Sequence, residues 1–188
     1  MSTLTTERLA AHTYSADVWA VELLRRPGSQ ADVSRAGDRV HVWLGDADHV
    51  DHAHRLEHGA HLEQLPGEPG SCSDAVLHED GGVVVTCCTA PPALVISRGR
   101  THLLPAVPGT TGVERLSDGD VLVMCSASAL DHLPAGIGAV LAWAPRELAA
   151  RQPDVLLDRL MLDTDVGSAL LARYQAPTNG DFKEEEDR

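Results

Sequence analysis

The chain has 188 residues, a length that suits one domain with one sizeable core, and 43% of them are hydrophobic. Aromatics make up only 3%, so Ala, Val and Leu must build the core, and few platforms exist for stacking bases or sugars. The formal net charge of −13 repels phosphate backbones and anionic lipid, which sets nucleic acid and membrane surfaces aside as partners. No apolar run approaches the ~20 residues that a membrane span needs.

In chain order, residues 1–13 read as an N-terminal extension. They lack a basic stretch followed by an apolar one, so the cytoplasm is the expected location. Residues 14–175 read as the folded domain. Its first strand is expected around Asp17-Val18-Trp19-Ala20-Val21-Glu22-Leu23, closed by a turn cluster from Arg25 to Ser29. Arg39 to Leu44 alternates polar and apolar, predicts a second strand, and ends at Gly45-Asp46. Val50 to Leu65 has helical spacing and is stopped by Pro66, Gly67, Pro69 and Gly70.

Ser73 to Leu77 and Val83 to Cys88 predict a hairpin about Glu79-Asp80-Gly81-Gly82. Ala93 to Ser97 and Thr101 to Leu104 predict a second one about Arg98-Gly99-Arg100. Pro105 to Leu116 reads as a loop, and Ser117-Asp118-Gly119-Asp120 as a turn into the apolar strand Val121 to Ser126. Helices are expected over Gly136 to Trp143 and Arg146 to Leu162, and a last strand over Ser168 to Tyr174. Residues 176–188 carry Glu184-Glu185-Glu186-Asp187 and read as an acidic, disordered tail. Hairpins dominate and helices interrupt them, which predicts an α+β fold with mostly antiparallel sheets.

Two residue clusters invite chemistry. Four cysteines occur without a CxxC pair. Cys87 and Cys88 are adjacent, so on a strand they point to opposite faces, and with Cys125 they sit in apolar runs as reduced core residues. The segment from His49 to His61 holds five of the ten histidines. His54, His58 and His61 fall at i, i+4 and i+7, and Asp51 joins their helix face. Three readings stand side by side: a site for Zn²⁺ or Ni²⁺, a solvated polar face, and a surface that charges near pH 6.

Several stretches, in order, resemble the SpoIIE-type branch of the PPM metal-dependent Ser/Thr protein phosphatases. Val42-Trp43-Leu44-Gly45-Asp46-Ala47-Asp48 is similar to the family's "lviGDVsGHG". Val83 to Ile96, with Ala90-Pro91-Pro92, resembles "yanAGHPPallv", and Leu104 to Gly112 resembles the "lp..pgtpLG" loop. Ser117 to Leu130 is similar to "lepGDvLvlyTDGL", and Thr164 to Leu171 to the closing "DDvallvl". The resemblance spans Tyr14 to Tyr174 and implies a sandwich of two mostly antiparallel sheets flanked by helices, with metals at one end.

It also implies a two-metal centre built from carboxylates, which hold hard dications and generate the hydroxide nucleophile. Asp46 matches the metal-bridging aspartate. In the first strand Asp17 keeps an acid and Ala20 replaces a second; Ala127 stands in place of a ligand; Thr164 replaces one acid and Asp165 keeps the next; Ala90 replaces the histidine. Asp46 to Ser73 has room for about one helix where the family has two, so helical cover is reduced.

The expectation is a catalytically inactive, phosphatase-like regulatory domain of bacterial type, with no cofactor, acting through protein contacts. The resemblance points to an anti-sigma or anti-sigma-antagonist pathway. One alternative is an active phosphatase using Mn or Mg on a reduced site of Asp46, Asp17 and Asp165, or on a site displaced toward Asp131 and Asp163. Another is a homo-oligomeric assembly subunit that hides the uncovered sheet by self-association.

Overall fold

The computed structural model describes residues 18–26, 29–45, 71–97, 100–107, 109–131, 133, 135–138, 140–143, 153–161 and 164–177. Ten strands form two five-stranded antiparallel sheets. The first sheet runs β1 (Trp19–Arg25), β10 (Ser168–Tyr174), β9 (Val121–Cys125), β6 (Ala93–Ser97), β7 (Arg100–Leu104). The second runs β2 (Gln30–Ala36), β3 (Arg39–Gly45), β4 (Cys72–His78), β5 (Gly82–Cys88), β8 (Thr111–Arg115). Two short helices are described in full, α1 (Ala127–Leu130) and α2 (Pro153–Leu160), and residues 137–138 and 140–143 are also helical. Among the described residues no helix is long and apolar enough to cross a membrane.

Side-chain period decides where each strand sits. β5 alternates strictly, with Val83, Val85 and Cys87 buried, so one face meets the core and the other does not. β9 is buried at every position and β10 at all but one. In β10 Leu170 and Ala172 enter the core between the sheets, while Ala169 and Leu171 enter a second cluster with α1 and α2. A strand covered on both faces reads as a continuous apolar run, which is why Val121 to Cys125 has no polar alternation. The second cluster joins Leu94, Val123 and Leu171 to Ala129, Val140, Leu156, Leu160 and Met161.

One end of the sandwich is closed by aromatics. The Trp19 and Tyr174 rings lie 5.1 Å apart, the Trp19 indole N–H donates to the His78 carbonyl at 2.9 Å, and the Tyr174 hydroxyl donates to the Glu79 carbonyl. The β4–β5 turn beside them needs Gly81 at φ +83°; a Cβ there would lie 2.6 Å from the Leu116 carbonyl oxygen.

The antiparallel sandwich and both expected hairpins are present. Three expectations change. Pro105 to Leu116 contains β8, which pairs with β5 through Val84 and Val113 and completes the second sheet. The expected turn after β1 leads directly into β2, a strand whose polar sequence QADVSRA carries a single buried position, Val33. Cys88 is half-buried rather than a core residue, because it faces away from the layer that holds Cys87.

Candidate functional site

The other end of the sandwich collects the loops that the sequence marks as chemical. In the first sheet, Arg25 pairs with Ser168 and Ala169 with Cys125, so β1 and β9 end, and β10 begins, at one level. In the second sheet, Gln30 pairs with Gly45 and Gly45 with Cys72. The short connection from β1 to β2 ties the two rows together. This end therefore gathers Ser29, Gly45, Cys72, Thr89 to Pro92, Ser126 to Ala129, and Thr164 to Gly167. Gly45 lies under the Trp43 ring, where an added Cβ would come within 2.5 Å of the indole.

Hydroxyls and backbone amides join the loops here. The Ser126 hydroxyl accepts from the Ser168 N–H at 3.0 Å and lies 3.0 Å from the Ser128 hydroxyl. The Ser126 N–H donates back to the Ser168 carbonyl at 2.9 Å. Thr164 donates its hydroxyl to the Val166 carbonyl at 2.6 Å and accepts from the Val166 N–H. The Gly167 N–H donates to the Ser29 hydroxyl, and the Gly167 carbonyl accepts from the Arg26 N–H at 3.0 Å. Gly167 sits at φ +99°, and a Cβ on it would lie 2.7 Å from the Ala129 nitrogen. The β10 approach loop is thus pressed against α1 with no space for a side chain between them.

The structure brings Ala127, Thr164 and Asp165 to this end; Thr164 is buried and Asp165 is exposed. Asp46, Asp17, Asp51, His54, His58 and His61 lie outside the described residues. Ala20 does not belong to this end. It pairs with Arg173, five residues from Arg25, or about 17 Å along a strand at ~3.3 Å per residue. The correspondence of Ala20 to a lost metal ligand is therefore corrected: β2, headed by Ser29 and Gln30, begins at this end, whereas β1 finishes there. Local pattern favoured the apolar β1 over the polar β2, and a run of turn residues before an alternation with one buried Val was the only available signal.

Among the described residues, no group of three or more His, Cys, Asp or Glu is arranged to hold a metal. Two hard dications need several oxygen anions. The described part of this end offers the exposed carboxylate of Asp165, the exposed Asp131 just after α1, and hydroxyls already bonded to the protein. These described donors do not by themselves make a two-metal centre.

Sequence reading also missed Asp74. It lies opposite Trp43 on the outer face of the second sheet, and burial pushes its carboxyl up to about 6. Asp74 Oδ1, Trp43 Nε1 and His41 Nδ1 are buried without a hydrogen-bond partner among the described residues. Burial, with Arg39 and His78 nearby, holds His41 below the usual histidine range.

No family model matches the sequence, and no curated protein matches it significantly. Solved structures do match. The RsbU and RsbW domains of a Mycobacterium tuberculosis protein superpose with a TM-score of 0.65 at 17% identity, covering 86% of this chain and 62% of that one. The phosphatase domain of the Bacillus subtilis cell-fate determinant SpoIIE gives 0.61 at 10% identity, covering 86% and 93%. RsbX in complex with magnesium gives 0.58 at 7% identity, covering 85% and 96%. The chain has the fold of the SpoIIE-like, PPM-type phosphatase domains.

Proposed function

We propose that this chain is a phosphatase-like regulatory domain that does not hydrolyse phosphate esters and works by binding another protein. The observation that carries this reading is the hydroxyl network of Ser126, Ser128 and Thr164. It stands at the end of the sandwich where the family resemblance expects carboxylates. Serine and threonine hydroxyls are neutral; Ser126 is engaged with the β10 backbone and with Ser128, and Thr164 with Val166 in its own loop. They hold the local loop geometry without supplying the negative charge that would stabilise dications or activate a water.

The kind of partner follows from the likeness alone. The mycobacterial neighbour carries an RsbW domain beside its RsbU domain. An anti-sigma or anti-sigma-antagonist protein is the partner class proposed for this chain. The acidic balance of the sequence favours a partner surface with basic character.

The test is hydrolysis of a phosphoserine peptide by the purified protein with Mn²⁺ or Mg²⁺. No metal-dependent turnover is expected. Turnover that disappears on chelation and in Asp46→Ala would overturn the reading in favour of an active phosphatase with a reduced site, to which Asp165 at the same end would then belong.

A further inference from the structure

Two of the four thiols lie at neighbouring strand ends on the outer side of the second sheet. In the β4–β5 ladder Asp74 pairs with Thr86 and Ser73 with Cys87. The ladder ends there, and Cys72 and Cys88 are the next residues outward on the two strands. Ala75, Leu77, Val83, Val85 and Cys87 belong to the core between the sheets. Alternation therefore sends Cys72 and Cys88 together to the opposite face.

Residues directly opposed on antiparallel strands hold their Cβ atoms ~4.5–5.5 Å apart on one face, and a disulfide asks for ~3.5–4.5 Å between Cβ atoms and ~4.4–6.8 Å between Cα atoms. Cys88 lies close enough to Cys72 to raise its thiol, and Cys72 forms a β-bridge with Thr89, the residue after β5. Cys87 points to the other face, and Cys125 is buried in the cluster beneath the helices.

We propose that Cys72 and Cys88 form a dithiol modification site, which a peroxide-class oxidant converts to an interstrand disulfide. Cys88 is half-buried and Cys72 is buried, so the oxidant reaches Cys88 first. The Cys88 sulfur attacks a peroxide oxygen; the O–O bond breaks, sulfenic acid forms, and one water leaves. The Cys72 sulfur then attacks the sulfenic sulfur, its proton joins the departing hydroxide, and a second water leaves as the S–S bond forms. Two thiols and one hydrogen peroxide give one disulfide and two waters. Burial first, and then Cys88, push Cys72 up to about 12. It therefore stays a thiol until its neighbour has become the electrophile. A dithiol reductant reverses the bond by exchange.

This bond would join the start of β4 to the exit of β5, next to Gly45 and the Thr89 to Pro92 loop. It stands independently of whether the domain is catalytic.

The turn between the two strands provides the assay. The native chain is treated with hydrogen peroxide, its remaining thiols are alkylated after denaturation, and it is cleaved after Glu79, an exposed residue of the β4–β5 turn. The expected result is a loss of two alkylatable thiols out of four, with the Cys72 and Cys88 fragments still joined until dithiothreitol is added. Cys87→Ser is expected to preserve the linkage and Cys88→Ala to abolish it. Fragments that separate without reductant, or a linkage that survives in Cys88→Ala, would overturn the proposal.

Discussion

Asp74→Asn isolates the cost of one buried carboxylate. The folded protein holds Asp74 at about 6, raised from an ordinary 3.8 by burial. At ~1.36 kcal/mol per pH unit, that difference is worth ~3 kcal/mol. The sign follows from the raised value. The folded state binds this proton more tightly than the unfolded chain does, so the contribution is fully present below about pH 4 and is lost as pH rises through about 6. Above pH 6 the folded protein carries a desolvated carboxylate with an unpartnered oxygen. Asparagine has nearly the same shape and no charge. Its own buried amide costs a pH-independent amount, so the informative quantity is how the gap between variant and wild type changes with pH. Urea unfolding of both proteins from pH 4 to pH 8 should move that gap by ~2.5 kcal/mol in favour of the variant, most of it between pH 4 and 6.5. Two stability profiles that run parallel across this range would refute the burial of a titrating Asp74.

Three further comparisons test the local geometry. Gly119 has φ +82° with open space around its missing Cβ, so Gly119→Val should cost ~1–2 kcal/mol or more through backbone strain alone. Asp118→Ala loses one exposed hydrogen bond, from the Ala176 N–H, and should cost ~0.5–1 kcal/mol; thermal melts that rank the pair the other way would misplace the turn. Gly167→Ala combines positive φ with a contact of 2.7 Å to Ala129 and should cost more than Gly109→Ala, whose φ is also positive but whose surroundings are open; chemical denaturation of the two variants decides it. Ser126→Ala removes the acceptor for the Ser168 N–H in a site that is 1% exposed and should cost ~1–3 kcal/mol, measured by the shift in the urea midpoint.

Some of this molecule was legible without coordinates because its signals are local. The period-2 pattern of Val83 to Cys88, the glycine turn at Gly81-Gly82, and the unbroken apolar run Val121 to Cys125 each depend on residues within one element. The order of the motifs was enough to expect an antiparallel sandwich, and Ala127 and Thr164 were visibly not carboxylates.

What the sequence could not decide is what lies across from what. β2 and β8 are polar edge strands, and an edge strand is held mainly by backbone bonds to one neighbour, which leave little trace in side-chain composition. Ala20 was matched to the wrong end because strand direction relative to the other sheet is a property of the assembled sandwich. Asp74 reads as an ordinary polar residue in a hairpin, and only its place in the folded sheet, across from Trp43 and Thr86, shows it to be a buried acid. Cys72 and Cys88 are sixteen residues apart in the chain, and the register of β4 on β5 brings their strand ends side by side. Composition and period determined the elements; burial, register and the meeting of strand ends were decided by tertiary structure, since each depends on a partner distant in sequence.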